Sequence, residues 1–200
     1  VSPVPQPKTL RVFAALDVSA EVRGRLDQTL RPLSALIPRE AVRWVRAEGM
    51  HLTLKFYGEV DVEQLPVLRQ VLQEAAKTSG PLTLKVEGLG AFPNWQRTRV
   101  IWAGLQGALT ELQVLQTEIE TRSRLAGFAI EERAFKPHLT LGRVKVAVDL
   151  KSLGRTLDTG AIQTFGVFTA TTLNLIQSEL RVGGARYTQL AAFPLQNLKA

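Results

Sequence analysis

The sequence predicts an α+β fold assembled from two related lobes that face each other across a cleft. Three observations predict it. The phrase His51-Leu52-Thr53-Leu54 recurs unchanged as His138-Leu139-Thr140-Leu141, and the chain has no other histidine. An order of strand, helix, motif strand and helix runs once and then restarts. The spacing of matching features is nearly constant: His138 follows His51 by 87 positions, and both Ala108 after Ala20 and Asp149 after Asp61 by 88. An offset held through strands, helices and motif points to an internal repeat rather than a chance tetrapeptide. A pseudo-twofold axis between such lobes brings both motif strands, 51–54 and 138–141, to their interface.

Two hundred residues, 45% hydrophobic and 22% charged, suffice for one domain with its own core, expected over 8–198. The absence of cysteine excludes thiolate catalysis, disulfides and Cys-based zinc sites. No apolar run approaches the roughly 20 residues of a membrane helix. Val1 to Pro7 reads as a proline-rich N-terminal extension without a secretory signal, so a cytoplasmic protein is expected. The excess of 25 basic over 18 acidic residues, a formal +7, suits a polyanionic partner and equally suits a plain basic surface.

Leu10 to Val18 is apolar enough for a central strand. Ser19 caps a helix with the stripe Val22, Leu26, Leu30, Leu33 and Ile37, kinked or shortened at Pro32. Arg43 to Val45 reads as a short strand and Met50 to Val60 as the first motif strand. Asp61 caps a second helix, with Leu65, Leu68, Leu72 and Ala75 inward, and Leu82 to Glu87 follows as a strand. Gly88 to Arg97 is a predicted loop. The second round opens with a strand over Arg99 to Leu105 and a helix over Ala108 to Leu125, ended by Gly127 in a left-handed conformation. Phe128 to Glu132 is a predicted short strand, and Pro137 to Val146 carries the second motif. Asp149 opens a short helix containing Leu150, Leu153 and Leu157. Strands near Ile162 to Phe168 and Thr171 to Gln177, a Gly183-Gly184 turn and a strand over Arg186 to Phe193 complete the chain.

Successive side chains of a strand face opposite ways, so each motif presents His and Thr together and buries both leucines. Imidazoles titrate near pH 6.5, so one can be neutral while the other is protonated. Such a pair suits concerted acid–base displacement at phosphorus, with Thr53 and Thr140 donating to the non-bridging oxygens. A lone histidine in a strand is usually an ordinary surface or core residue; two in identical settings within repeated halves are not. Zinc is the poorer alternative, since neither histidine has a matched carboxylate or Cys beside it. No metal and no cofactor is expected.

These phrases and several around them resemble the 2H phosphoesterase superfamily, specifically its bacterial and archaeal RNA 2′,3′-cyclic phosphodiesterases, or 2′-5′ RNA ligases. The resemblance rests on Arg11 to Leu16, Arg43-Trp44-Val45, His51 to Glu59, Gly88 to Pro93, Val100 to Gly104, Phe135 to Arg143, Ser178-Glu179-Leu180 and Gly183 to Tyr187. It implies a bilobal fold in which two antiparallel sheets line a central cleft, with helices outside. It also implies metal-independent hydrolysis of terminal 2′,3′-cyclic phosphates to 2′-phosphates, and ATP-independent 2′-5′ ligation when a ribose 5′-hydroxyl replaces water. By position, His51 is the proton donor, His138 the proton acceptor and Arg143 a phosphate ligand. Arg143 has the wrong parity to face the way His138 does, which predicts a bulge or strand end at Gly142.

Lys55 has the parity to follow His51 and Thr53 onto the cleft face, and a solvated charge is the alternative. Phe56, Trp44 and Tyr187, with Phe13 and Trp95, are candidates for base stacking, against the commoner role of core packing. Arg97, Arg99, Arg186 and the Arg43/Arg46 pair are candidates to line an RNA path. Gly49 and Val182 depart from the family pattern, a difference expected to touch loop geometry alone. The expected partner is RNA with a cyclic phosphate end, bound by a monomer with no membrane attachment. The competing readings are a small-molecule cyclic-phosphate esterase and a non-catalytic RNA-end-binding module.

Overall fold

The computed structural model describes residues 8–146, 163–182 and 184–196. Among these, nine strands form two antiparallel sheets, with three α-helices. In chain order they are β1 (Thr9–Asp17), α1 (Ala20–Ala35), β2 (Val42–Trp44), β3 (His51–Asp61), α2 (Leu65–Ala76), β4 (Leu82–Phe92), β5 (Val100–Gly107), α3 (Leu109–Leu125), β6 (Leu139–Val144), β7 (Thr164–Ala170), β8 (Thr172–Arg181) and β9 (Gly184–Pro194). The first sheet runs β3-β1-β8-β9, the second β2-β6-β5-β4-β7. Without β2 the two orders match strand for strand, motif strand first.

Leucine alternation explains how the sheets bury one face each. Val12, Ala14 and Leu16 of β1 and Leu52 and Leu54 of β3 join one continuous core with Val22 and Leu26 of α1 and Leu112, Leu115 and Ile119 of α3. α1 packs on β7 of the second sheet, while α3 packs on β3 of the first. Phe13, Ala15 and Ile176 form a separate buried cluster. They lie on the other face of the first sheet, the face that carries His51 and Thr53.

Local signals explain most element ends. Ser19 caps α1 by accepting from the Val22 N–H at 3.3 Å. Pro32 lies within α1, and the helix closes at Ala35, before the predicted stripe is complete. At the end of α3, the Phe128 and Gly127 N–H groups donate to the Ser123 and Arg124 carbonyls, with Gly127 at φ +86°. That is a Schellman closure.

Three expectations need correction. Asp61 makes no side-chain cap; it ends β3, and a 3₁₀ turn over Val62–Gln64 leads into α2. The predicted loop at Gly88 begins as strand, because Gly88 at φ +71° absorbs a bulge and lets β4 continue to Phe92. Phe128 to Glu132 is not a strand. That segment is tied down by Glu120, which accepts from the Glu131 N–H, and by Lys55, which donates to the Ala129 carbonyl. The helix predicted from Asp149 and the extension 1–7 lie outside the described residues, as does Gly183.

Candidate active site

His51 opens β3, and His138 immediately precedes β6. The two strands belong to different sheets and touch each other. Both histidines and both motif threonines are half-buried, whereas Leu52, Leu54, Leu139 and Leu141 are buried. The alternation read from sequence therefore holds through the first four residues of each copy.

Aromatic rings set the His51 imidazole. It stacks on Phe13 with centroids 4.6 Å apart, and Tyr187 meets it edge-on at 5.0 Å. Burial pushes His51 from its usual 6.5 down to about 4; a hydrogen bond to the Gly49 backbone opposes this and the Arg143 charge adds to it. His138 is fixed by a 2.6 Å hydrogen bond from Nδ1 to the Lys136 carbonyl. A carbonyl only accepts, so Nδ1 carries the proton and Nε2 is left for chemistry. Phe92 meets this ring edge-on at 5.0 Å and in turn packs on Trp102 at 5.1 Å. Burial lowers the His138 pKa as well, opposed by the Lys136 hydrogen bond and assisted by Arg143.

One guanidinium thus bears on both imidazoles. Arg143 reaches that position through the expected irregularity: Ile101 pairs with Gly142 but Trp102 pairs with Thr140, so Leu141 is an extra residue. The bulge reverses the parity of everything after it and returns Arg143 to the face of Thr140.

The same device displaces Lys55. Ala15 pairs with Thr53 and Ala14 with Lys55, which makes Leu54 the extra residue of β3. Lys55 turns away from the cleft face into α3, where its buried Nζ lies 2.7 Å from Glu120 Oε2 and 2.8 Å from the Ala129 carbonyl. This corrects the expectation of a cleft-facing lysine. Phe56 takes the cleft face in its place, 42% exposed and parallel to Phe13 at 5.8 Å. Trp44, a stacking candidate, covers Gly142 on the face away from Arg143 and packs on the core. Tyr187 stays at the site, and burial raises its pKa while Arg143 and Arg11 pull it down.

Phe92, expected in a loop, and Trp102 of β5 wall the second histidine; the bulge at Gly88 is what lets β4 run on to Phe92. Nothing in the sequence marks Arg11 beyond its place in the phrase Arg11 to Leu16. Gly49 does more than shape a loop, since a Cβ there would lie 3.1 Å from the Tyr187 ring. Among the described residues no three His, Cys, Asp or Glu side chains gather as a metal site would need. Nor, among them, is any helix long and apolar enough to cross a membrane.

Two sheets that meet at β3 and β6, each strand headed by a motif histidine, with an arginine bearing on both, define a phosphoesterase of the LigT-like class. The chain belongs to that family, whose model matches residues 16–102 and 105–187. It is 31% identical to an RNA 2′,3′-cyclic phosphodiesterase of Methanothermobacter thermautotrophicus over 191 residues, covering 93% of this chain and 99% of the relative. It is 33% identical to one of Archaeoglobus fulgidus over 187 residues, covering 92% and 99%. Among solved structures, Escherichia coli LigT complexed with 3′-AMP has a TM-score of 0.74 at 29% identity, over 94% of this chain and 98% of that one.

Proposed function

We propose that the protein is an RNA 2′,3′-cyclic phosphodiesterase that opens terminal cyclic phosphates to 2′-phosphates with two histidines and no metal. The observation that carries this reading is the contact of β3 with β6, which brings together two strands that each present a histidine and a threonine on one face, with their leucines buried. The relatives' activity and the paired family match support it. The same match, with the corresponding strand orders, supports an internal repeat as the origin of the two halves.

In the free cleft both imidazoles are pushed toward the neutral form. An entering phosphodiester anion offsets the Arg143 charge and restores a proton to the pair. His138 Nε2 takes the proton of a water as it attacks phosphorus. The bond to O3′ breaks, and His51 protonates the departing oxygen, leaving the phosphate on O2′. Thr53, Thr140 and Arg143 hold the non-bridging oxygens as their charge grows. A ribose 5′-hydroxyl in the place of water gives a 2′-5′ linkage by the same steps.

The test is turnover of an oligoribonucleotide ending in a 2′,3′-cyclic phosphate, in EDTA. A 2′-phosphate product supports the proposal. A 3′-phosphate product, or activity only with added metal, refutes it.

A further inference from the structure

Arg11 precedes Phe13 by two positions on β1, so both side chains leave the cleft face. Its guanidinium carbon lies 4.9 Å from the centre of the Phe56 ring. The residue opposite it on β3 is Glu59, whose carboxylate instead accepts from the Thr9 hydroxyl at 3.2 Å. Among the described residues Arg11 has no ion-pair partner, and its buried Nε has no hydrogen-bond partner. A cation steadied by an aromatic face rather than a carboxylate keeps its charge available to a ligand.

Arg143 lowers the pKa of both histidines, whereas Arg11 is felt, with Arg143, at Tyr187. Arg11 stands two residues along β1 from Phe13, on which the His51 ring stacks; two residues of a strand span about 6–7 Å, comparable with one step between neighbouring phosphates of an extended RNA strand. A guanidinium so placed, its plane held by Phe56, matches a phosphodiester's paired oxygens.

We propose that Arg11, stacked on Phe56, binds the phosphodiester one nucleotide upstream of the reacting cyclic end. The site then prefers oligonucleotide ends to mononucleotides. This inference rests on the RNA-end reading above and deepens it by naming a second phosphate subsite.

Calorimetric binding of two unreactive product ligands tests it: 2′-AMP, and the dinucleotide ApA carrying a terminal 2′-phosphate. Arg11→Gln should weaken dinucleotide binding about tenfold and cut the dinucleotide-to-mononucleotide affinity ratio by a similar factor. Arg11→Lys, a point charge without the planar stack, should fall between wild type and Arg11→Gln, with thermal melting verifying that both variants fold. Equal weakening of the two ligands would assign Arg11 to the reacting phosphate, and no weakening would deny it a ligand; either overturns the proposal. Wild-type turnover of a cyclic end is read separately, so failure of the RNA-end reading is distinguished from failure of the subsite.

Discussion

Leu54 and Leu141 hold the same fourth place of the repeated motif, and each is the extra residue of a β-bulge. Strict alternation would send the sixth residue of each copy to the core. The paired bulges return Phe56 and Arg143 to the cleft face instead. One copy thereby supplies an aromatic wall and the other a cation, from equivalent positions. The asymmetry of the site arises there.

The pH dependence of kcat/KM follows from the depressed imidazoles. The free pair must hold one proton to react, and both pKa values lie below 6.5. kcat/KM should therefore fall steadily from pH 6 to pH 8. Arg143→Gln removes a charge that lowers both groups, so NMR titration of the two histidines should show both pKa values rise. A wild-type kcat/KM that stays level or rises between pH 6 and pH 8 would count against this ordering.

Acid sensitivity has the same source. His51 titrates at about 4 folded and near 6.5 unfolded, so the unfolded chain binds the extra proton in between. Its contribution is complete above pH 6.5 and is lost as pH falls toward 4, amounting to about 3 kcal/mol. Urea unfolding at pH 4.5 and 7 should reveal the slope, and His51→Gln should flatten it. Equal slopes in both proteins would remove His51 as its cause.

Lys55 is structural in this account. Lys55→Met strands Glu120, whose side chain is 22% exposed, and should cost on the order of 3 kcal/mol. KM of the folded fraction should hold nearly constant. A raised KM without lost stability would restore the lysine to the cleft.

Much of the site was legible because chemistry and repetition coincided in it. The histidines, the threonines and even the irregularity before Arg143 could be read from parity and spacing. Lys55 could not, because nothing in Leu54 itself signals a bulge. Phe128 to Glu132 has strand composition and the position equivalent to β2, but its place beside β3 is held by side chains rather than a backbone ladder. Trp44 fits a base-stacking surface as well as it fits a core, and only the glycine opposite it decides.

Trp102 lies against Gly90, where an added Cβ would come within 2.2 Å of its ring. Gly90→Ala must displace the indole, and Phe92 and His138 lean on the same cluster. Overpacking of this kind costs about 1–3 kcal/mol. The melting temperature should drop and kcat should fall with it. An unchanged melting temperature and kcat would contradict the described packing.

Replacing either histidine should test the division of labour. His51→Ala and His138→Ala should each lower kcat by about 10²–10⁴, while a 2′-phosphorylated product still binds within a small factor. Activity retained in either variant would break the acid–base pair.

A crystal structure with a 2′-phosphorylated oligonucleotide in the cleft bears most directly on the whole account. It should find one phosphate within hydrogen-bond reach of both His51 and His138, with Arg143 on its non-bridging oxygens. A phosphate seated on one imidazole while the other stands out of reach would contradict it.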